Sequence, residues 1–105
     1  MANTFTPSDQ TRFGGPVGKS LMLVEGILVV DTTANGGAAV DDLPASLFKL
    51  TKIIACLGVV NDGETEIYHG NPDYTGDSLL IANHASNGFA DLGNDTWKVV
   101  LVGIG

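Results

Sequence analysis

The chain has 105 residues, of which 44% are hydrophobic and 16% charged, and its formal net charge at pH 7 is −7. This length is typical of one domain, and the low charged fraction, against ~25% in ordinary domains, indicates neutral surface of the kind that another chain covers. With only five basic residues, the composition disfavours a nucleic-acid or anionic-membrane partner, because both require clustered positive charge.

Residues 1–19 predict an extended N-terminal arm. The segment opens with a polar, Thr-rich stretch, and its second half contains three glycines and a proline, which disfavour a helix or a central strand. Phe5 and Phe13 are its two apolar anchors, and we expect them to contact a neighbouring subunit. A loose terminus is the alternative interpretation. Residues 20–105 are predicted to form a single β-sandwich domain.

β-type segments separated by turn signals follow the arm. Residues 20–30 predict a strand with a bulge or bend at Gly26. The Gly-rich turn at 35–37 precedes about one helical turn that ends at Phe48. A second strong strand is predicted over residues 52–60.

The sharpest local signal is Asn61-Asp62-Gly63. An Asp-Gly pair between two β-type segments predicts a type I′ hairpin, because both central residues of that turn need positive φ. The returning strand would cover residues 64–69. Further strands are predicted at residues 78–83, 89–90 and 96–104. Six or seven short strands without a long helical pattern predict an all-β fold, an antiparallel β-sandwich or jelly roll.

Two of these strands are apolar on both faces. A strand with one solvated face should alternate apolar and polar residues. In the strand at 52–60, one face would carry Ile53, Ala55, Leu57 and Val59, and the other would carry Ile54, Cys56 and Val60. In the strand at 96–104, one face would carry Trp97, Val99 and Leu101, and the other would carry Val100, Val102 and Ile104. We therefore expect a second layer or a second subunit on the other face, with face-switching β-bulges as the alternative, and we expect strand 96–104 to be central.

The sequence offers no catalytic, cofactor-binding or metal-binding set. The segment from Gly14 to Ser20 resembles a phosphate loop, but it has one residue too few between its glycines and precedes a β-type segment instead of a helix. His69 and His84 lie in predicted turns without a zinc-binding cluster. Turn chemistry accounts for the acidic turns, although a structural calcium site stays open. The single Cys56 excludes an intramolecular disulfide. A non-enzymatic protein without a cofactor is expected.

The order of segments resembles small virion proteins of tailed bacteriophages. Those often open with a Thr-rich, Arg-containing head, as residues 4–16 do here. They continue with a strand and a Gly-Gly segment with one helical turn, like residues 36–48, and end on an apolar strand, like residues 97–105. The size and the lack of fibre repeats look most like capsid decoration, or cement, proteins. This resemblance implies a β-rich protein that clamps neighbouring capsomers.

The resemblance and the apolar strands together predict a structural protein on the capsid exterior, made in the host cytoplasm. No signal peptide and no apolar span of ~20 residues is seen. The expected partners are the major capsid protein and the chain itself, as a homodimer or homotrimer. The candidate interface residues are Phe5, Phe13, Trp97, Val100, Val102 and Ile104.

Other assignments stay open at this point. A tail or head–tail connector protein is one. Another is a carbohydrate- or receptor-binding β-sandwich of a phage tail or head fibre, in which Tyr68, Tyr74 and Trp97 would form a sugar-stacking platform.

Overall fold

A computed structural model describes residues 3–16, 19–30, 43–62, 67–83, 88–89 and 96–105. Seven strands lie in this part of the chain: β1 (Thr4–Arg12), β2 (Leu21–Val29), β3 (Lys52–Asn61), β4 (Tyr68–Pro72), β5 (Leu79–Asn83), β6 (Gly88–Phe89) and β7 (Thr96–Ile104). The one helix among the described residues is a 3-10 turn, Ala45–Phe48. No helix in these ranges is long and apolar enough to cross a membrane. The predicted all-β fold class is confirmed.

The strands form two antiparallel sheets. The larger has the order β1-β2-β7-β3, and the smaller has the order β4-β5-β6. Strand β7 pairs with β2 along its whole length, from Leu21 opposite Ile104 to Val29 opposite Thr96. It also pairs with β3 on its other side. The prediction that strand 96–104 is central is therefore confirmed.

The hairpin predicted at Asp62-Gly63 lies mostly outside the described residues, because positions 63–66 are not described. Strand β3 pairs with β7, whereas β4 pairs with β5 in the other sheet. β3 and β4 therefore belong to different sheets, although Gly70 on β4 lies against Cys56 on β3. The local turn signal specifies a reversal of the chain but not which strand becomes the hydrogen-bonded neighbour.

The core lies between the two sheets and is filled from both. The large sheet contributes Val24, Leu28, Ile53, Val99 and Leu101, and the small sheet contributes Leu79 and Ile81; none of these is more than 1% exposed. The ring of Trp97 meets that of Tyr68 edge-on, with centroids 4.9 Å apart, so that β7 and β4 are in direct contact. Each fully buried side chain of this kind stabilises the fold by ~1.5–3 kcal/mol.

Residues 4–12 of the predicted arm form an edge strand of the large sheet. Strand β1 pairs with β2, with one register shift between Pro7 and Asp9. Phe5 is buried and meets the ring of Phe48 edge-on at 5.0 Å between centroids. A proline and an irregular register are common at sheet edges, where they discourage pairing with further strands. The proposed boundary between an arm at 1–19 and a domain at 20–105 stays a prediction.

The segment around the 3-10 helix ties the two sheets together. The backbone N–H of Ala45 donates to the carbonyl oxygen of Asp77 at 2.7 Å, and the N–H of Ile53 donates to that of Gly76 at 2.8 Å. Gly76 has φ +80°, and a Cβ there would meet the Lys52 side chain. This turn therefore requires glycine both for its conformation and for its closeness to β3.

Candidate functional site

The large sheet has one buried face and one exposed face, and its central strands define both. Along β2, burial alternates from an exposed Leu21 to an exposed Val29, with every second residue buried. Along β7, Trp97, Val99 and Leu101 are buried, and the residues between them are partly or fully exposed. We call the exposed side the outer face. The two central strands contribute to it Leu21, Leu23, Glu25, Ile27, Val29, Lys98, Val100, Val102 and Ile104.

Two β-bulges in β3 add apolar side chains to the outer face. The pairing of β3 with β7 shifts register once at Ile54 and once at Leu57. Because a bulge sets two residues against one on the partner strand, each shift places an extra side chain on this side of the sheet. Ile54 is 46% exposed and Leu57 is 64% exposed. The face that groups Leu57 with the buried Ile53 is therefore wrong, and the alternative prediction of face-switching β-bulges is confirmed for this strand.

Phe13 extends the outer face at one corner. Its backbone N–H donates to the carbonyl oxygen of Leu21 at 2.8 Å, so the antiparallel pairing of β1 and β2 continues one residue beyond β1. Phe13 therefore lies opposite Leu21, which in turn is paired with Ile104. The Phe13 ring is 59% exposed. The result is an apolar row that crosses three strands at the end of the sheet.

Two opposite charges lie near the middle of the outer face. Glu25 on β2 is paired with Val100, and Lys98 on β7 is paired with Ile27, so the two charged residues are diagonal neighbours. Both side chains are exposed, and neither forms an ion pair with another described residue. A shallow groove beside them is bounded on the β3 side by Gly58, where a Cβ would meet nothing within 4 Å. This part of the face is therefore open to contact.

The structure separates the six predicted interface residues into two groups. Phe13, Val100, Val102 and Ile104 lie together on the outer face. Phe5 and Trp97 are instead in the core of this chain, 7% and 1% exposed. Leu21 and Leu23 were not predicted, although residues 21–29 are also apolar on both faces and carry the same signal. The outward placement of Leu57 has no such signal, because a β-bulge leaves no clear pattern in the sequence.

The three aromatic rings of the predicted sugar platform do not share a surface. Trp97 is buried against Tyr68, whereas Tyr74 is fully exposed in the turn after β4. Within the described ranges, no group of three or more His, Cys, Asp or Glu residues is arranged to hold a metal ion. Burial raises the pKa of the Cys56 thiol to about 11, although hydrogen bonds with the backbone of Gly58 and Gly70 partly oppose the shift. A neutral thiol of this kind is a poor nucleophile.

No protein-family model, no curated protein and no solved structure matches this chain. Its function is therefore inferred from the geometry of its own residues. Its most distinctive feature is an apolar outer face with a Glu–Lys pair near its centre.

Proposed function

We propose that this protein is a structural virion protein that decorates and stabilises a phage capsid, binding both the major capsid protein and copies of itself. The observation that carries the proposal is the outer face, where a sheet already covered on one side by its own core presents a second apolar side. Ordinary two-layer sandwiches have polar residues at such positions.

The extent of this apolar surface favours association over a free monomer. Leu21, Ile54, Leu57 and Val60 are each at least 40% exposed, and Val100 and Val102 lie between them, half-buried. Contiguous apolar patches larger than a few hundred Å² are uncommon on monomers and usually mark an interaction surface. The low charged fraction of the sequence points the same way.

In this proposal the protein acts by contact and performs no chemistry. Covering apolar surface on neighbouring copies and capsomers stabilises the shell, because each buried Å² contributes ~25 cal/mol before the entropic cost of association. A cofactor has no role, and the sugar-binding alternative lacks the aromatic platform on which it depended.

Sedimentation with capsids tests the proposal. The purified chain is mixed with expanded, undecorated heads of a tailed phage, and the pelleted fraction is measured. We expect saturable co-sedimentation that Val102→Asp, on the outer face, reduces at least tenfold. Ile67→Asp is the matched control, because Ile67 is 69% exposed but lies outside the larger sheet. Retention on a glycan array without any head binding would instead support a carbohydrate-binding protein.

A further inference from the structure

We propose that a second copy of this chain covers the outer face, packed sheet against sheet about a two-fold axis, with Glu25 of each copy against Lys98 of the other. This inference builds on the proposed assembly function and names which partner takes this surface. The rest of the molecule, including the exposed Tyr74, then stays available for the capsid.

The outer face is large enough for a stable dimer. Four strands at ~4.8 Å spacing and about nine residues at ~3.3 Å each give roughly 19 × 30 Å, or about 570 Å² per copy. Two copies would bury about 1,100 Å² in total, just above the ~1,000 Å² expected of a specific interface. We therefore expect a dimer of modest affinity.

The charges on the outer face favour a second copy over an unrelated partner. The chain carries twelve acidic and five basic residues, yet this face is nearly balanced: it holds Asp9, Glu25 and Asp62 with Lys52 and Lys98. A surface with only one excess negative charge, on a protein of charge −7, lets two identical copies approach with little local repulsion.

Two-fold symmetry makes the central pair self-complementary. In such an interface, if residue i contacts residue j of the other copy, then j also contacts i. One Glu and one Lys therefore supply two equal intermolecular pairs. Diagonal neighbours on a sheet are ~7–8 Å apart, which leaves room for an axis to pass between Glu25 and Lys98. Val100 and Ile27, the β7 neighbour of Glu25 and the β2 neighbour of Lys98, would shield both pairs from water on that side, whereas on β1 the neighbour of Glu25 is Asp9.

Reversing the charge of Glu25 or Lys98 distinguishes local pairing across the interface from overall repulsion between two acidic copies. E25K replaces an acid by a base and changes the net charge from −7 to −5, whereas K98E changes it to −9. Overall repulsion alone predicts a tighter E25K dimer. Local pairing predicts that E25K and K98E each weaken the dimer about ten- to a hundredfold, since two attractions become two repulsions. Lys49→Glu, at an exposed position after the 3-10 helix, is the charge-matched control for K98E and should have a much smaller effect.

Mixing the two variants is the decisive step, read by sedimentation velocity. In a heterodimer of E25K and K98E, opposite charges meet at both contacts, and the total charge equals that of two parent copies. We expect the equimolar mixture to dimerise about as tightly as the parent although neither variant does so alone. The double variant E25K/K98E should also recover.

Three results would overturn the inference. A tighter E25K dimer would show that only overall charge matters. Recovery in the double variant but not in the mixture would place the Glu–Lys contact within one copy. A parent chain that stays monomeric would remove the dimer. Head co-sedimentation is measured separately, so capsid binding without dimerisation would leave the proposed function standing.

Discussion

Replacing either of two adjacent residues of β7 by aspartate should separate the core from the interface. Leu101 is fully buried against the second sheet, while Val100 lies half-buried on the outer face. Leu101→Asp loses ~1.5–3 kcal/mol of side-chain burial and adds several kcal/mol for a carboxylate without a partner in the core. A domain of this size is stabilised by only about 5–15 kcal/mol. We expect Leu101→Asp to be unfolded or close to it at 25 °C.

Val100→Asp makes the same change in charge but should leave the monomer folded, because its carboxylate remains in water. Its free energy of unfolding as a monomer should fall by less than ~1 kcal/mol. Association would bury that carboxylate, so the dimer should weaken a hundredfold or more, about 2.7 kcal/mol. Thermal melting by circular dichroism and sedimentation velocity measure the two effects. A Val100→Asp protein that unfolds like Leu101→Asp, or one that associates like the parent, would refute the assignment of faces.

Two further predictions concern the packing of single residues. Gly26→Ala should lower the free energy of unfolding by ~1–3 kcal/mol, because the new Cβ would meet the backbone of Thr6 and the ring of Phe5. Gly58→Ala places its Cβ in open space and should be neutral or slightly stabilising. Urea unfolding compares the two variants, and equal midpoints would contradict this prediction. The raised pKa of Cys56 means that the folded protein keeps the thiol neutral at a pH where the unfolded chain has lost the proton. The stability that this thiol contributes should therefore be complete below the ordinary thiol pKa and should be lost as pH rises through about 11. Melting temperatures across that range should therefore fall more steeply in the parent than in Cys56→Ala, and parallel curves would argue against burial.

Most of the strands could be predicted from the sequence, because apolar β-type segments bounded by turn residues specify strands locally. The strand at 96–104 and the short helix ending at Phe48 lie where these signals placed them. The pairing of β3 could not be predicted, since an Asp-Gly turn does not determine which strand becomes the hydrogen-bonded neighbour.

The candidate surface could be predicted only in part, because alternation fails where a bulge intervenes. In β7 the pairing is regular, so Val100, Val102 and Ile104 fall on the face opposite the buried residues, as predicted. In β3 two bulges interrupt the alternation, so the residues between them point to the opposite face from the one predicted, and Leu57 becomes one of the most exposed apolar residues of the described chain. The burial of Phe5 depends on β1 joining the sheet, which its polar sequence does not signal.

The mass of the unmodified chain in solution tests the central claim most directly. Multi-angle light scattering between about 1 µM and about 1 mM covers the affinities expected of a modest interface. We predict a concentration-dependent rise from 10.9 kDa to twice that value, and the rise should disappear in Val100→Asp. A constant mass of 10.9 kDa across the whole range would contradict a self-covering outer face.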